Sequence, residues 1–169
     1  MAFSLIADMV CDSIFNIDIS ALKEAGIRLL LADLDNTLVP YGVPLPTHEV
    51  CAWKKRLNEH GITLFVLSNN RRANRPRVFS EGLDVPFIGH AGKPKTGNFY
   101  KAMEQMGMTA EQTALVGDQI FTDVLGGNRA GVTTILVKPI RLAGNPGRYV
   151  RYAVELPFRL LSWKRGAKR

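Results

Sequence analysis

Cysteine, long apolar runs and ligand-like histidine spacings are scarce or missing in this 169-residue chain. The two cysteines, Cys11 and Cys51, lie far apart and form no CxxC pair, which disfavours a disulfide scaffold and a zinc site. No apolar run approaches the ~20 residues of a membrane-spanning helix. The opening stretch MAFSLIADMVCDSIF contains Asp8 and Asp12 but no Lys or Arg, unlike a secretory leader. We therefore expect a cytoplasmic protein.

The composition is that of an ordinary globular protein. Hydrophobic residues make up 46% of the chain and charged residues 22%, so disorder and fibrous structure are disfavoured. At roughly 150 residues per domain, the length predicts a single domain over residues 1–169. The sequence contains no internal repeat, low-complexity tract or interdomain linker.

Positive charge is concentrated towards the C-terminal end. The formal net charge is +7, and the basic C-terminal extension, residues 138–169, holds nine basic residues against Glu155 alone. Such a segment can contact phosphate-bearing partners or an anionic membrane surface, or it can be a solvated terminus. Within it, residues 156–163 are compatible with an interfacial anchor, a helix packed on the sheet or an oligomer contact. Peripheral contact with the inner face of a membrane is one hypothesis; the pattern gives no strong nucleic-acid signal and leaves the oligomeric state open.

Short apolar runs alternate with helical patterns between residues 27 and 137. Each run ends in a polar cluster, as expected for parallel strands buried on both faces. Strands are predicted at residues 27–32, 62–67, 86–88, 114–116 and 133–137, and helices at 47–60, 71–81, 96–106 and 122–130. The expected fold is α/β, an open parallel sheet of about five strands with helices on both faces.

The N-terminal segment is predicted to be an amphipathic helix over about residues 3–15. Its apolar residues form the stripe that a helix packing on a core requires, although the same stripe could dock a partner. They are Leu5, Ile6, Met9, Val10 and Ile14.

Polar residues follow four of the predicted strands, where open α/β sheets bind their ligands. They are Asp33-Leu34-Asp35-Asn36-Thr37, Ser68-Asn69-Asn70, Gly92-Lys93-Pro94 and Gly117-Asp118, with Asp123 five residues further on. Four carboxylates, a lysine and a hydroxyl would then share one edge of the sheet, where burying them without a counter-ion is costly. A hard cation and a phosphate group would supply the missing charge balance.

Charge and spacing suggest the roles of the carboxylates. Asp33 is the candidate nucleophile, which would form an aspartyl-phosphate. Asp35 is expected on the same side of an extended segment, so it could protonate the leaving oxygen and later deprotonate water. Asp118, with Asp33 and the backbone carbonyl of Asp35, is predicted to hold Mg²⁺.

The other polar residues are assigned supporting roles. Lys93 and the Ser68 hydroxyl are predicted to bind phosphoryl oxygens, with Asn69 assisting. Asp123 is predicted to support the metal or Lys93, with a plain helix-start carboxylate as the alternative, and Thr37 to shape the loop beside the ligands. For the arginines that follow Asn70, a solvated helix face is the preferred interpretation; they are Arg71, Arg72, Arg75 and Arg77.

In chain order, LADLDNTLV, VLSNN, GKPK and VGDQIFTD resemble the four motifs of the haloacid dehalogenase (HAD) superfamily. The resemblance spans about residues 27–137, and all four motifs are intact. DLDNTL, SNN, the lysine and GDQIFTDVLGGN together look like the subclass IIIA phosphatases of the YqeG type, which are related to phosphatidylglycerophosphate phosphatases. The resemblance implies a Rossmann-like fold, Mg²⁺ dependence and phosphomonoester hydrolysis.

Asp35 and the short stretches between the motifs limit the classes of reaction that we expect. In the superfamily, an Asp at this position implies rapid turnover to free phosphate or a mutase, whereas relatives of the P-type ATPases carry Thr. The stretches from Asp33 to Ser68 and from Ser68 to Lys93 are too short for an inserted cap domain. The site should therefore be open, which disfavours a mutase and suits a large substrate.

The leading hypothesis is a Mg²⁺-dependent phosphomonoesterase acting on a large or membrane-displayed substrate such as phosphatidylglycerophosphate. One alternative is a phosphatase of a phosphoprotein, a nucleotide or a nucleic-acid end. Another is a non-catalytic phosphate-sensing or protein-binding module on the same fold. A receiver domain is disfavoured, since it has no second carboxylate two residues after its phosphoacceptor.

Overall fold

Strands and helices alternate along the residues that the computed structural model describes, which are 4–70, 74–141 and 146–166. The strands are β1 (Met9–Cys11), β2 (Leu29–Ala32), β3 (Thr63–Leu67), β4 (Phe87–Ile88), β5 (Thr113–Gly117) and β6 (Thr133–Val137). The helices are α1 (Ile19–Glu24), α2 (His48–Glu59), α3 (Arg75–Leu83), α4 (Gly97–Met106), α5 (Leu125–Ala130) and α6 (Pro146–Gly166). A 3₁₀ turn at Ile14–Asn16 precedes α1, and a π-helical turn at Ile120–Val124 precedes α5.

The strands form one parallel sheet in the order β1-β6-β5-β2-β3-β4. The central strand β2 pairs with β3 on one side and with β5 on the other. Every residue of β2 and β5 is buried, as a sheet covered on both faces requires. The predicted open parallel α/β sheet is confirmed, and the carboxyl ends of β2, β3, β4 and β5 share one edge.

Alternate residues of β2 pack into separate apolar clusters on the two faces of the sheet. Leu30 packs with Trp53 of α2 and Phe79 of α3. Leu29, on the opposite face, packs with Phe99 of α4. Helices therefore cover both faces. In the described residues between β2 and β4, the connections hold one helix each and no cap domain.

The predicted N-terminal helix over residues 3–15 is wrong for the described part of that segment. Met9–Cys11 instead forms the edge strand β1, with Met9 opposite Ile135 of β6. The backbone N–H of Asp8 extends this pairing by donating to the Thr134 carbonyl at 3.1 Å. The edge of β6 offers backbone donors and acceptors that a strand satisfies and a helix does not. The sheet consequently has six strands rather than five.

Most of the basic C-terminal extension folds as the helix α6. Its inner side mixes polar and apolar contacts: Glu155, Arg159 and Ser162 are buried, and Phe158 packs edge-on against Phe121. Ser162 Oγ accepts a hydrogen bond from the Ala7 backbone N–H at 3.0 Å, which ties α6 to the segment before β1. Among the described residues, no helix combines the length and apolar character needed to cross a bilayer.

Candidate active site

The carboxyl ends of the central strands open into one cleft with a volume of about 820 Å³. Five of the residues singled out from the sequence line it: Asp33, Asp35, Ser68, Asn69 and Lys93. Its size is within the range of roughly 300–1,000 Å³ that is typical of small-ligand sites. The edge of the sheet therefore carries a cleft at the position that the topology predicts.

A buried lysine joins two of the carboxylates at this edge. Lys93 Nζ lies 2.7 Å from Asp33 Oδ1 and 2.7 Å from Asp123 Oδ1. Asp33, Asp118 and Asp123 are all buried, and each has an oxygen within 4.8 Å of the others. Side chains separated by up to ninety positions in the sequence are thus brought into one cluster.

Burial and charge strongly perturb the protonation of this cluster. Burial raises the pKa of Asp33 to about 6, since the nearby Lys93 charge offsets it only in part. Burial also raises the pKa of Asp118 well above its ordinary value, and the charges of Asp33 and Asp123 add to the shift. For Lys93 the burial penalty is outweighed by the two carboxylates it contacts, so its pKa is raised. The cluster therefore has more negative charge than Lys93 alone can neutralise.

The loop after β2 turns sharply beyond Asp35. Asn36 takes a left-handed backbone conformation with φ 68°, and its N–H donates to the Val39 carbonyl at 2.7 Å. This turn brings the Thr37 hydroxyl to Asp118, where Oγ1 donates to Oδ1 at 3.3 Å. Thr37 thus lies behind a predicted metal ligand.

Asp35 is oriented by a buried arginine that sequence analysis assigned to solvent. The Asp35 side chain is not part of the three-carboxylate cluster. Arg75 Nε and Nη2 donate to Asp35 Oδ1 at 2.9 and 2.7 Å, and Asn70 Nδ2 donates to Oδ2 at 2.6 Å. Arg75 also donates to the Val43 carbonyl through Nη1, and its side chain is 8% exposed.

The solvated-face interpretation is therefore wrong for Arg75, because its side chain is buried and pairs with the Asp35 carboxylate. The interpretation holds for Arg77, which is exposed and lies 3.8 Å from Glu81 one turn later. Arg71 and Arg72 lie outside the described residues. The sequence signal for Arg75 is weak: it stands directly before Pro76, at the start of a helix.

The segment after β3 holds the lysine loop in place. The Asn69 side chain accepts a hydrogen bond from the Lys93 N–H at 2.8 Å and donates to the Lys93 carbonyl at 3.0 Å. Ser68 Oγ accepts from the Asn70 N–H at 3.1 Å and faces the same cleft. The side-chain amide of Asn69 is thus engaged in positioning Lys93.

A glycine allows Asp123 to approach the end of β5. A Cβ added at Gly117 would lie 2.4 Å from Asp123 Cγ, far inside any ordinary contact. The Asp123 carboxylate also accepts the Gln119 N–H at 3.1 Å. Gly117 is therefore required for the close approach of Asp123 to β5. The sequence alone does not indicate this approach.

Helix α6 supplies further contacts that sequence analysis missed. The buried Arg159 donates to the Asp118 backbone carbonyl and pairs with Glu155 Oε2 at 2.8 Å. Glu155 Oε1 accepts the Phe121 N–H at 3.3 Å. Arg151, which lines the cleft, donates to Gln119 Oε1 at 2.6 Å. Arg151, Glu155 and Arg159 are spaced four residues apart. This spacing predicts that they lie on one side of a helix.

Comparison with known proteins gives a match to a family model and a relative that aligns over most of both chains. A family model described as HAD-hydrolase-like matches residues 90–139. The Bacillus subtilis (strain 168) protein named "Probable phosphatase YqeG" is 40% identical over 155 residues, which cover 92% of this chain and 88% of that protein.

More distant relatives are larger proteins. Phosphatidylglycerophosphate phosphatase 1 of Chlamydomonas reinhardtii, a chloroplast protein, is 29% identical over 146 residues, covering 82% of this chain and 54% of that protein. The chloroplastic/mitochondrial protein of the same name from Arabidopsis thaliana is 29% identical over 141 residues, covering 77% of this chain and 40% of that protein. The chain therefore spans about half the length of these two relatives, or less.

Solved structures share the fold at low sequence identity. The cobalt-bound deoxy-D-mannose-octulosonate 8-phosphate phosphatase of Haemophilus influenzae superposes with a TM-score of 0.50 at 20% identity, covering 83% of this chain and 93% of that one. The 3-deoxy-D-manno-octulosonate 8-phosphate phosphatase of Yersinia pestis gives 0.50 at 18% identity, covering 93% and 94%. This likeness shows a common fold.

Proposed function

We propose a reaction, a metal and a substrate class for this chain, which belongs to the YqeG family of HAD-type phosphatases. The proposed reaction is Mg²⁺-dependent hydrolysis of a phosphomonoester through an aspartyl-phosphate on Asp33. The observation that carries it is the position of Lys93 Nζ, 2.7 Å from both Asp33 and Asp123 at the edge of the cleft.

The donor set of the acidic cluster fits a hard divalent cation. Three buried carboxylates have oxygens within 4.8 Å of one another, and Lys93 pairs with two of them. Carboxylate oxygens are ligands that Mg²⁺ prefers. Asp33, Asp118 and the backbone carbonyl of Asp35 would hold the ion. When bound, the cation would reduce the repulsion between an anionic nucleophile and an anionic phosphate. Asp123 would hold Lys93, while Thr37 and Arg159 would hold Asp118 in place.

Lys93 and Ser68 are the proposed ligands of the phosphoryl oxygens. Lys93 supplies a fixed positive charge, because both carboxylates beside it favour its protonated form. The Ser68 hydroxyl, which already accepts the Asn70 N–H, has its own proton left to donate. Asn69 contributes by holding the Lys93 backbone through its two hydrogen bonds. These donors would stabilise charge that develops on the transferring group.

The proposed chemistry proceeds in two displacements at phosphorus. An Asp33 carboxylate oxygen forms a bond to phosphorus as the bond to the ester oxygen breaks. Asp35, which is paired with Arg75 and takes up a proton from solvent before this step, gives that proton to the leaving alkoxide. Asp35 then takes a proton from water as the water oxygen attacks phosphorus and the bond to Asp33 breaks. The products are an alcohol and inorganic phosphate, and both aspartates return to the states in which they entered the first displacement. Arg75 and Asn70 fix the orientation of Asp35 for both proton transfers.

Phosphate release by Asp33→Asn protein tests this mechanism. We expect a loss of at least about a thousandfold in kcat, because an amide is not a nucleophile for phosphorus. Chelation of divalent cations should abolish the wild-type activity, and added Mg²⁺ should restore it. Asp84→Asn is the matched control, since Asp84 is an exposed carboxylate that lies outside the cleft. Full activity in Asp33→Asn would disprove the nucleophile assignment.

A lipid phosphate is the substrate class that we propose. Two relatives carry the name phosphatidylglycerophosphate phosphatase, and the described residues include no cap over the cleft. An uncovered site can work on a phosphate that protrudes from a surface. The corresponding location is the inner face of a membrane, with the protein bound peripherally.

The outward side of α6 is a surface suited to lipid. Its large apolar side chains are exposed, and we call them the α6 outer face: Tyr149, Val150, Val154, Leu156, Leu160 and Leu161. Lys164 is exposed on the same helix, and the sequence from residue 138 onwards is strongly basic. Apolar side chains combined with flanking basic residues favour an anionic lipid surface over a neutral protein partner. Because Arg151 of α6 lines the cleft, a membrane bound at this face would lie beside the cleft mouth.

Vesicle binding by Leu160→Gln protein tests the lipid proposal. Leu160 and Leu45 are both 55% exposed, so Leu45→Gln is a control for the same change elsewhere. Burial of one leucine stabilises binding by about 1.5–3 kcal/mol, so Leu160→Gln should weaken binding to phosphatidylglycerol vesicles by roughly tenfold or more. Leu45→Gln should bind as the wild type does.

Substrate preference gives a second test of the same proposal. Wild-type protein should turn over phosphatidylglycerophosphate in vesicles faster than soluble sugar or nucleotide monophosphates. Equal or faster turnover of a soluble ester, a phosphopeptide or a nucleic-acid end would contradict the lipid assignment. A concentration-dependent dimer that Leu160→Gln dissociates would instead assign the α6 outer face to a second copy of the chain.

A further inference from the structure

Two basic side chains at the cleft have no acidic partner among the described residues. The cations deeper in the site are neutralised: Lys93 pairs with Asp33 and Asp123, and Arg75 pairs with Asp35. Arg151 and Lys95 also line the cleft, and neither forms an ion pair within the part of the chain that the structure describes. The cleft lining thus carries two positive charges that no carboxylate of the described residues pairs with.

Arg151 is held in position by contacts that lead to the acidic cluster. Its Nη1 donates to Gln119 Oε1 at 2.6 Å, and the Gln119 N–H donates to Asp123 Oδ2 at 3.1 Å. Two turns further along α6, Arg159 holds the Asp118 carbonyl. Arg151 and Arg159 are separated by eight positions, so they lie on the same side of the helix. The hydrogen bond to Gln119 directs the guanidinium towards the site, and its other donors form no hydrogen bond among the described residues.

We propose that Arg151, assisted by Lys95, binds a second anionic group of the substrate, a phosphodiester that lies beyond the ester to be cleaved. This inference rests on the proposed function and extends it to the rest of the substrate. A guanidinium presents paired N–H donors that match two oxygens of a phosphate, and it keeps its charge at every physiological pH. The unreacted part of the substrate would leave the cleft past these two residues.

The subsite explains why α6 combines two roles. Its inner side holds the Asp118 loop and presents Arg151, and its outer face would contact lipid. A phosphate that links a headgroup to its lipid lies close to the membrane surface. Binding that phosphate at Arg151 would place the terminal ester deeper, towards Asp33 and Lys93, which line the same cleft.

A comparison of two soluble substrates distinguishes binding at the Arg151 subsite from the chemical step, and it removes any contribution from membrane binding. One is glycerol 1-phosphate, and the other is deacylated glycerophosphoglycerol phosphate, which has the same terminal ester plus a phosphodiester. The wild type should prefer the second in kcat/KM. Arg151→Gln should reduce this preference by about 10–100-fold, mainly through KM, because a hydrogen bond to a charged group contributes about 1.5–3 kcal/mol. Lys95→Gln should reduce it in the same direction by a smaller factor.

Lys55→Gln is the matched control, since it removes an exposed positive charge from α2, outside the cleft. It should leave the preference at the wild-type ratio. An unchanged preference in Arg151→Gln, or an equal loss with both substrates, would overturn the subsite and leave the proposed function standing. Equal turnover of 3-phosphoglycerate and the phosphodiester substrate would show that any anion suffices, which also overturns it. If the wild type hydrolyses no phosphomonoester at all, the proposed function fails and the subsite fails with it.

Discussion

Adding one methyl group at Gly117 is expected to disable the active site without altering a charged residue. A Cβ at this position would lie 2.4 Å from Asp123 Cγ and Oδ2 and 2.5 Å from Asp123 Cβ. Carbon atoms in ordinary contact are about 3.5–4.0 Å apart, so Asp123 would have to retreat by roughly 1 Å. Asp123 is buried in the π-helical turn, and its contacts with Lys93 and the Gln119 N–H would stretch or break.

Both stability and activity should fall in Gly117→Ala. Overpacking a core costs about 1–3 kcal/mol, and disturbing hydrogen bonds to a charged group costs about 1.5–3 kcal/mol. We therefore expect the free energy of unfolding to fall by roughly 2.5–6 kcal/mol. A displacement of about 1 Å in a catalytic group can lower the rate about a hundredfold, and Lys93 would lose one of its two anchors.

Urea denaturation, followed by circular dichroism, measures the change in stability. Steady-state phosphate release measures the change in activity. Gly97→Ala is the control, because no atom lies within 4 Å of a Cβ added at this first residue of α4. It should raise the free energy of unfolding by about 0.5–1 kcal/mol, as Ala replaces Gly in a helix, and leave kcat at the wild-type value. Wild-type stability and kcat in Gly117→Ala would refute the close-approach reasoning. Lower stability with wild-type kcat would show that Asp123 does not position Lys93 for catalysis.

Three other perturbations test contacts around Asp118. Arg159→Met leaves Glu155 buried without its cation, so urea denaturation should show a loss of about 3–5 kcal/mol; the double change with Glu155→Gln should recover part of it. Thr37→Val removes the hydroxyl that contacts Asp118 Oδ1, so half-maximal activity should need about tenfold more Mg²⁺, and an unchanged requirement would contradict this role. Mg²⁺ at about 100 times its dissociation constant should stabilise the wild type by about 2.7 kcal/mol in thermal unfolding. Asp118→Asn protein should show little of this stabilisation.

The parts of the fold that follow local patterns could be predicted from the sequence. The runs around β2, β3 and β5 are mostly apolar, which indicates strands buried on both faces. Because all these strands are parallel, the polar residues after them necessarily meet at one edge, and Asp33, Lys93 and Asp118 were singled out on that basis. The strand β1 could not be recognised, since three residues carry too little periodicity and its pairing with β6 is a long-range contact.

The missed site residues depend on contacts between distant parts of the chain. Arg75 reaches Asp35 across 40 positions, and Arg159 reaches the Asp118 carbonyl across 41. Arginines in a polar or basic segment are ordinarily exposed. Only the folded structure shows that a buried hydrogen-bond acceptor lies within their reach. The roles of Asp33, Asp35 and the metal ligands remain predictions, of which Asp33→Asn and Asp118→Asn test two.

The inner side of α6 is more polar than that of an ordinary surface helix. Glu155 and Arg159 are buried there beside the partly buried Phe158, while several leucines and valines of the helix are exposed. The apolar stripe alone would predict the opposite orientation of this helix. In that orientation the ion pair would be exposed to water and the Asp118 loop would lose its contact with Arg159. We expect this exposed stripe to bind hydrophobic dyes and detergent in aqueous solution, as contiguous apolar surface does.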